Sequence, residues 1–394
     1  MPNTATADAP RFQEIVDFIR TTFGEPEAFI PLHEPRFLAK DEEYVVDCVR
    51  STFVSSVGKY VDLFEEKMAD WVGSRYAVAT VNGTTALQVA LRLAGVRPAD
   101  LVITQPFTFV ATANAIRYNG ADPVFVDIDA ETLGLCPLAL ERFLKEEVKQ
   151  NADGEAIHID SGRRIMACVP MHTYGFAAHI ERIVALCSAA GIPVVEDAAE
   201  SLGSYVGQRH TGTFGRLGTF SFNGNKTITC GGGGIIVTDD EQLAQRAKYL
   251  TTTAKKPHRW EYFHDTIGYN YRLPNLNAAL ACAQMEHLRD FLARKEQLAQ
   301  AYAAFFHQKA DLEFRLAPQG TQANYWLNVL LLRDRTHRDA FLAYTNDRGV
   351  MTRPAWELMY RLPMYADCPR EECPTAEALA ERLVNLPSSV ILKD

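Results

Sequence analysis

The stretch FSFNGNK, residues 220–226, places a single lysine directly after an apolar, aromatic run. A lysine in such a loop is most often solvated, because its ammonium group is costly to bury. Here the flanking segments GTFSF and CGGGGIIV contain little polar sequence that would support a surface loop. We therefore expect Lys226 to be enclosed, and a partly desolvated lysine amine is the nucleophile that Schiff-base chemistry needs.

An acidic pair follows a second apolar run, in the sequence VVEDAAE of residues 194–200. Side chains alternate along a strand, so Glu196 and Asp197 are expected on opposite faces. A carboxylate at the end of a buried strand needs a positive partner, because burial of an unpaired charge is costly. That partner is either a side chain of a neighbouring helix, in an ordinary salt bridge, or the protonated ring nitrogen of a ligand.

A third junction, VNGTTAL at residues 81–87, passes from an apolar run into a predicted helix and suggests an anion site. Gly83 allows close backbone approach, and Thr84 begins a helix whose amides and dipole suit a phosphate. A plain helix cap explains the same residues. Ser221, five residues before Lys226, offers a hydroxyl group to the same anion.

A phosphate site, a buried aspartate and an enclosed lysine together meet the binding needs of pyridoxal phosphate. Its phosphate, its pyridine nitrogen and its aldehyde would each gain a partner. Other site classes have less support, because neither GxxxxGK[ST] nor GxGxxG occurs. The ten histidines include no HExxH motif and no tight cluster, so no metal site is expected.

The elements that must position these residues follow from periodicity. From about residue 75, short β-branched runs alternate with amphipathic stretches, as in RYAVATV followed by TTALQVALRLAG. This alternation predicts a mostly parallel sheet with helices on both faces, and such sheets bind ligands at the carboxyl ends of their strands. Gly95, Gly120 and Gly191 mark predicted helix ends. Further helices are predicted near residues 240–253, 275–308, 337–347 and 375–384.

Composition places limits on the class of protein. A chain of 394 residues exceeds what one hydrophobic core usually serves, so a large and a smaller domain are expected. A net charge of −9 without clustered lysine or arginine argues against nucleic-acid binding. The eight cysteines are scattered singly and predict reduced thiols. Without a leader pattern or a run of about 18 apolar residues, a cytoplasmic protein with no membrane segment is expected.

Several motifs occur in a specific order: NGTTAL, TFVATANAI, VEDAAE, TFSFNGNK, GGGGIIVT and GYNYRLPNLNAAL. This set resembles the DegT-type sugar-nucleotide aminotransferases, which are fold-type I enzymes that use pyridoxal phosphate. The resemblance runs from about Phe29 to the end of the chain and implies an α/β fold. It implies an N-terminal extension at residues 1–28, a large cofactor-binding domain at 29–274, a bridging helix at 275–310 and a small C-terminal α+β domain at 311–394.

The resemblance implies roles for the matching residues. Lys226 would form the Schiff base and move protons, while Asp197 would keep the pyridinium nitrogen protonated. Phe109 would stack on the ring, although a single phenylalanine is more often a core residue. Asn270 would reach the phosphate of a neighbouring subunit's cofactor, in a homodimer with shared active sites; a turn before the long helix also explains it. The other implied cofactor contacts are Gly83, Thr84, Glu200, Ser221 and Asn223.

Three positions depart from the family pattern. Glu200 stands where relatives commonly carry glutamine or histidine near the cofactor. Asn223 and Asn225 stand where many relatives have histidine or an apolar residue. Beside the cofactor, Glu200 would need a hydrogen-bonding partner or a proton of its own.

The implied reaction is a two-stage exchange in which L-glutamate is the donor and pyridoxamine phosphate is the intermediate form of the cofactor. FIPLHEPRF, STFVSSVGKYVDLFEE and HRWEYFHDTIGYNYRLPNLNAALACAQ most resemble the branch of legionaminic-acid-type pathways. That branch aminates carbon 4 of a UDP-2-acetamido-4-keto-2,4,6-trideoxyhexose. Candidate contacts to its diphosphate or base are Lys59, Tyr60, Arg272, Arg353 and Trp356, although a surface salt bridge and a packed tryptophan explain them equally well.

Alternatives stay open beside this interpretation. One is an aminotransferase that acts on a dTDP- or GDP-linked keto-deoxysugar, at carbon 3 or carbon 4. A second is a pyridoxal-phosphate-dependent sugar dehydratase, but relatives of that kind carry histidine where this chain has Lys226. A third is a non-catalytic nucleotide-binding or regulatory homologue, which the retention of Lys226, Asp197 and Ser221 disfavours.

Overall fold

The computed structural model describes residues 8–309 and 311–392. Its helices are α1 (Ala9–Phe23), α2 (Ala39–Ser51), α3 (Lys59–Val72), α4 (Gly83–Leu93), α5 (Val110–Tyr118), α6 (Pro137–Glu146), α7 (Ile180–Ala189), α8 (Glu241–Thr251), α9 (Asn275–Phe306), α10 (Arg335–Asp347) and α11 (Pro374–Ala380). Its strands are β1 (Tyr76–Thr80), β2 (Leu101–Thr104), β3 (Asp122–Phe125), β4 (Val148–Gln150), β5 (Ala156–His158), β6 (Ile165–Val169), β7 (Val195–Asp197), β8 (Tyr205–Val206), β9 (Arg209–His210), β10 (Leu217–Ser221), β11 (Gly234–Thr238), β12 (Glu313–Phe314), β13 (Thr321–Gln322), β14 (Asn328–Leu331), β15 (Arg353–Pro354) and β16 (Leu383–Leu386). Within the described ranges, no helix is long and apolar enough to cross a membrane.

The central sheet has the strand order β3-β2-β6-β7-β10-β11-β1. Parallel bridges between Cys168 and Val194 and between Met171 and Asp197 join β6 to β7. The pairs from β3 to β10 are parallel, whereas β11 runs antiparallel to both of its neighbours. The predicted mostly parallel sheet is therefore confirmed, and the antiparallel β11 is an addition that strand–helix alternation alone does not indicate.

The register of these strands brings three carboxyl ends together. Gly234 of β11 pairs with Thr80, the last residue of β1, and with Ser221, the last residue of β10. Asp197, the last residue of β7, pairs with Thr219 of β10. Because β11 reverses direction, β1, β10 and β7 all end at the same edge of the sheet.

The helix boundaries follow the predicted signals closely, with one correction. Gly95, Gly120 and Gly191 adopt positive φ angles of 104°, 73° and 71° just past their helices, where glycine bears no steric penalty. The predicted helix near 375–384 is wrong at its end, because α11 stops at Ala380. Residues 383–386 instead form β16, whose four residues are all buried and which pairs with β14 and β15.

The C-terminal part of the chain has its own antiparallel sheet, in the order β12-β14-β16-β15, with α10 and α11 beside it. This arrangement confirms the expected small α+β unit. The 32-residue α9 packs at its start in the apolar cluster that contains Phe64, and at its end in the cluster that contains Phe341. The domain limits proposed from the sequence stay a prediction.

Helix α1 belongs to the same hydrophobic cluster as the C-terminal sheet. Phe12 of α1 is fully buried, and its ring lies 5.2 Å from that of Phe341 in α10. Ile15 and Ile19 are buried in the same cluster, together with Leu330 of β14. Residues 9–23, which the sequence division assigned to an N-terminal extension, are thus part of a core built mainly from the opposite end of the chain.

Candidate active site

A cavity of about 320 Å³ lies at the edge of the sheet where β1, β7 and β10 end. Residues that follow different strands, and that are far apart in sequence, share its wall. The sequence-predicted residues that line it are Gly83, Thr84, Phe109, Asp197, Glu200, Ser221, Asn223, Lys226 and Trp356. The structure therefore brings together the residues proposed for the cofactor, apart from Asn270, and one residue proposed for the sugar nucleotide.

Lys226 occupies one wall of this cavity with 12% of its side chain exposed, which confirms the predicted enclosure. Its Nζ lies 3.2 Å from Oε1 of Glu200. On another side, the same nitrogen stands 3.9 Å from the centroid of the Trp326 ring. The amine therefore faces the cavity while a carboxylate and an aromatic face hold it in place.

Glu200 is a fully buried carboxyl group. Its Oε2 accepts a hydrogen bond of 2.9 Å from the backbone N–H of Tyr174. Burial raises the pKa of Glu200 to about 7, and the opposing effects of Lys226 and the Tyr174 amide do not cancel that rise. The side chain thus has hydrogen-bonding partners, as its position required, and it changes charge near neutral pH.

Asp197 ends β7 with its carboxylate on the cavity side of the strand. Its Oδ2 accepts a hydrogen bond of 2.7 Å from Oγ1 of Thr112, and its Oδ1 accepts one of 3.2 Å from the backbone N–H of Ala199. These neutral donors fix the direction of the carboxylate without neutralising it. Asp197 is therefore available to a cationic group inside the cavity.

Glu196, on the other face of β7, is bound within the protein. Both of its oxygens accept backbone hydrogen bonds, from Gly212 at 2.7 Å and from Gly215 at 2.6 Å. His172 places its Nε2 2.9 Å from the same carboxylate, while its Nδ1 accepts from the backbone N–H of Ala178. Glu196 is thus held by hydrogen bonds from backbone amides and a histidine and not by a salt bridge to a neighbouring helix, and Asp197 is left for the cavity.

The start of α4 forms the end of the cavity that suits an anion. Asn82 caps the helix by accepting a hydrogen bond of 2.9 Å from the backbone N–H of Thr85. A Cβ atom at Gly83 would lie 2.7 Å from Cβ of Ser221, so only glycine permits this approach of α4 to β10. The helix N-terminus and the Ser221 hydroxyl group therefore lie side by side, as phosphate binding requires.

These three features fit pyridoxal phosphate. Lys226 supplies the amine, Asp197 supplies a carboxylate for a protonated ring nitrogen, and the α4 N-terminus with Ser221 supplies an anion site. The absence of a side chain at Gly83 allows the α4 N-terminus to approach Ser221, which places both anion-binding groups at one end of the cavity. The chemistry of this donor set matches the three binding needs of the cofactor.

Aromatic side chains complete the cavity wall. Phe109 caps α5 at its N-terminus, and 46% of the residue is exposed although it is a large apolar residue. Its ring centroid lies 6.0 Å from that of Trp356, which in turn lies 4.7 Å from Tyr174. Since Phe109 faces the cavity and not the core, the core explanation that the sequence left open does not hold for it.

Three of the residues proposed for the sugar nucleotide have partners outside this cavity. Lys59 forms an ion pair of 2.9 Å with Asp47, and the buried Tyr60 donates its hydroxyl to the same carboxylate at 2.6 Å. Arg353 donates to Oδ1 of Asn346 at 2.9 Å. Within this chain, none of the three lines the cavity that contains Lys226.

Arg272 and Asn270 lie on a neighbouring stretch of the chain. Arg272 lines a separate cavity of about 230 Å³, beside Gly58 at the start of α3. Asn270 is exposed and pairs with Thr252 through an isolated bridge. Its proposed contact with the cofactor of a second subunit therefore stays a prediction.

Sequence reasoning missed some of the residues that support the site. Thr112 stands three residues after Phe109 in TFVATANAI, so helical spacing indicates that it follows Phe109 toward the cavity. Trp326, in NYWLNVLLL, looked like part of an apolar strand. Its contact with Lys226 joins residues 100 positions apart and has no local signal in the sequence.

Comparisons with known proteins agree with this site. The sequence model of the DegT/DnrJ/EryC1/StrS aminotransferase family matches residues 36–394. GDP-perosamine synthase of Escherichia coli O157:H7 is 36% identical over 360 residues, or 91% of this chain and 93% of that protein. EpsN of Bacillus subtilis (strain 168), a putative pyridoxal phosphate-dependent aminotransferase, is 37% identical over 336 residues, or 85% and 84% of the two chains.

The fold is similar to a solved structure over nearly its whole length. The aminotransferase TlmJ from Streptoalloteichus hindustanus superposes with a TM-score of 0.83 and 27% identity, over 93% of this chain and 95% of that one. The family match, the relatives and the three-part fit of the cavity all indicate the same cofactor chemistry. The chain is a pyridoxal-phosphate-dependent sugar-nucleotide aminotransferase, and it belongs to the DegT/DnrJ/EryC1/StrS aminotransferase family.

Proposed function

We propose that this enzyme moves the amino group of L-glutamate to carbon 4 of a UDP-2-acetamido-4-keto-2,4,6-trideoxyhexose. The observation that carries the aminotransferase part of the proposal is the single cavity lined by Lys226, Asp197, Gly83 and Ser221. The choice of sugar rests on the resemblance of the quoted segments to the branch of legionaminic-acid-type pathways.

The residues of the chain have separate tasks in this reaction. When bound, pyridoxal phosphate supplies an electron-accepting ring that stabilises the negative charge left at a carbon that loses its proton. Nζ of Lys226 removes that proton from the α-carbon of the donor and later returns a proton to the carbon that receives the amine. The carboxylate of Asp197 holds a ring N–H in its charged form, and the N-terminus of α4 binds the phosphate.

The cavity wall also favours a deoxysugar substrate. Phe109, Trp326 and Trp356 line the cavity with aromatic surface. Aromatic faces bind the apolar face of a hexose and the methyl group of a 6-deoxysugar through burial of apolar area. A deoxysugar is therefore expected to bind this wall more tightly than a more polar sugar, which would have to give up the hydration of its polar groups there.

The negatively charged diphosphate of the nucleotide needs cationic partners, and the described residues of this cavity offer none besides Lys226. Among the described residues that line it, Lys226 alone is a lysine or an arginine. Arg272 and the exposed Asn270 lie close together in sequence at the neighbouring surface. This distribution supports a homodimer in which these residues complete the active site of the other subunit, with Arg272 on the diphosphate.

A GDP-linked keto-deoxyhexose is the second candidate substrate. It is favoured by the 36% identity to GDP-perosamine synthase of Escherichia coli O157:H7, whose name gives a GDP-linked product.

As to location, we propose the cytoplasm, which is supported by eight free cysteines, seven of them buried.

The test is a two-stage assay with purified, cofactor-loaded enzyme. L-Glutamate is added first, and 2-oxoglutarate and the change in cofactor absorbance are measured. UDP-, GDP- and dTDP-linked 4-keto-6-deoxyhexoses are then supplied separately, and each amino-sugar product is identified by mass spectrometry. We expect the highest kcat/KM with the UDP-linked N-acetylated sugar, and a higher value with the GDP sugar would replace the first candidate by the second.

Lys226→Ala is the matched control for this assay. The variant should produce neither 2-oxoglutarate nor an amino sugar from any of the three nucleotides. If the loaded parental enzyme releases 2-oxoglutarate but aminates none of the sugars, nucleotide sugars as acceptors are ruled out, while the cofactor chemistry stands.

A further inference from the structure

Trp326 is a buried residue of the cavity wall, and the reaction described above makes no use of its contact with Lys226. It lies between β13 and β14, and 4% of the residue is exposed. Nζ of Lys226 stands 3.9 Å from its ring centroid, a distance at which an aromatic face attracts an ammonium ion. With Glu200 at 3.2 Å, the lysine amine has one aromatic and one acidic partner.

The position of the Trp326 ring is fixed from two directions. Its indole Nε1–H donates a hydrogen bond of 2.6 Å to the backbone carbonyl of Asn225, the residue before Lys226. Its backbone N–H donates to Oδ1 of Asn324 at 2.8 Å, and the amide nitrogen of Asn324 donates to the carbonyl of Glu200 at 2.8 Å. The ring is thus tied to both segments that hold the amine.

Chemistry requires Lys226 to spend part of each reaction cycle as a free amine. When the donor nitrogen replaces Nζ on the cofactor, the Nζ–carbon bond breaks and a donor nitrogen–carbon bond forms. The donor amine passes one proton to Nζ as these bonds exchange, so the lysine is released as a neutral amine, and it becomes an ammonium ion when it removes the proton from the α-carbon of the donor. An ammonium ion in a cavity that excludes water needs partners, because its desolvation is costly.

We propose that Trp326 is a positioning residue for Lys226. Its ring and the Glu200 carboxylate form the docking site for the lysine ammonium in the form of the enzyme in which Lys226 is not bonded to the cofactor. Trp326 therefore stabilises that form over the one in which Lys226 is covalently bound. This inference does not depend on which sugar the enzyme accepts.

The measurement is the equilibrium constant of the glutamate half-reaction. Cofactor-loaded enzyme is mixed with known ratios of L-glutamate to 2-oxoglutarate, and the pyridoxal and pyridoxamine forms are quantified by their absorbance. Trp326→Leu removes the aromatic face, so we expect the constant to shift about tenfold toward the pyridoxal form. Trp326→Phe retains an aromatic face and should remain within about threefold of the parental value.

Trp71→Phe is the matched control, because Trp71 packs half-buried against the core cluster of α3 and does not line the cavity. It should leave the constant unchanged. Far-ultraviolet circular dichroism verifies the fold of each variant, and Trp326→Met replaces Trp326→Leu if the latter does not fold. The proposal would be overturned if the equilibrium constant of Trp326→Leu, or of Trp326→Met in its place, equalled that of the parental enzyme. It would also be overturned if the aliphatic variant and Trp326→Phe shifted the constant equally.

Discussion

The two lysines Lys226 and Lys295 are both enclosed, but their surroundings differ. Lys226 faces the cavity and has Glu200 and the Trp326 ring as partners. Lys295 of α9 is 1% exposed and donates to the carbonyl of Ser388 at 2.6 Å and to that of Trp326 at 3.4 Å. Trp326 separates the two sites, with its ring toward one lysine and its carbonyl toward the other.

The difference shows that burial alone does not make a lysine a catalyst. Burial lowers the pKa of Lys295 to about 7, so that part of this amine is unprotonated at neutral pH. However, its hydrogen bonds to carbonyl groups immobilise it, and it does not line the cavity that contains Lys226. Lys226 combines enclosure with an open face, and that open face is what a covalent bond to a cofactor requires.

The largest expected effect comes from removal of Lys226, the lysine that faces the cavity. Lys226→Ala should abolish amino transfer below detection, because no other amine lines the cavity among the described residues. The measurement is product formation by mass spectrometry, with borohydride trapping of the cofactor followed by peptide mapping. Lys295→Met is the control and should still trap the cofactor at Lys226. Trapping at Lys295 in the Lys226→Ala protein would contradict the distinction between the two sites.

The second effect concerns the negative charge of Asp197, which lines the same cavity as Lys226. Asp197→Asn keeps the shape of the side chain but removes the charge that would hold the ring nitrogen protonated. We expect kcat to fall by about three orders of magnitude, or ~4 kcal/mol. Steady-state kinetics measure the loss, and Thr112→Val, which removes only the 2.7 Å donor to Asp197, should lose far less. Equal losses in the two variants would be evidence against a direct role of the Asp197 charge.

The third effect is a dependence of stability on pH that originates at Lys295. Its folded pKa is about 7 and its ordinary value is 10.5, so the unfolded chain binds more protons between these values. The free energy of unfolding of the cofactor-free protein should therefore rise as pH increases from about 7 to about 10, by at most ~5 kcal/mol from this group. Urea unfolding of the parental protein and of Lys295→Met measures it, and identical slopes in the two proteins would refute it.

The fourth and smallest effect has the opposite sign and belongs to the Lys226 site. The pKa of Glu200 is raised from 4.5 to about 7, so the folded chain binds more protons in this interval. The free energy of unfolding should fall as pH rises from about 4.5 to about 7, by at most ~3 kcal/mol. Glu200→Gln should remove this slope in urea titrations of cofactor-free protein. A slope that persists unchanged in the variant would show that Glu200 is not its source.

Much of the central sheet and the cofactor site was predictable from local sequence. Apolar runs, glycines past helix ends and polar residues after strands identified the elements that hold Asp197, Gly83 and Lys226. This works because a buried parallel sheet imposes its pattern on each strand separately. The antiparallel β11 and the final strand β16 were less visible, since a short apolar run does not reveal its direction or exclude a helix.

The rest depends on contacts between distant parts of the chain. The basic residue Lys295 in ARKEQLAQ looks like part of an exposed helix surface, yet tertiary packing seals it beneath Ser388. Trp326 meets Lys226 only after the C-terminal sheet has packed against the large one. Lys59 and Arg353 were chosen by residue type, and in the folded chain Asp47 and Asn346 bind them.

The packing of α1 against Phe341 sets an order of events during synthesis. The ribosome releases α1 long before the end of α9, β14 and α10, which supply its core partners. Its apolar face, with Phe12 and Ile15, must therefore remain without its native neighbours while the whole large sheet is translated. The cluster that contains Phe12 and Phe341 is thus completed among the last steps of folding. The helix that is synthesised first is therefore among the last to gain its native contacts.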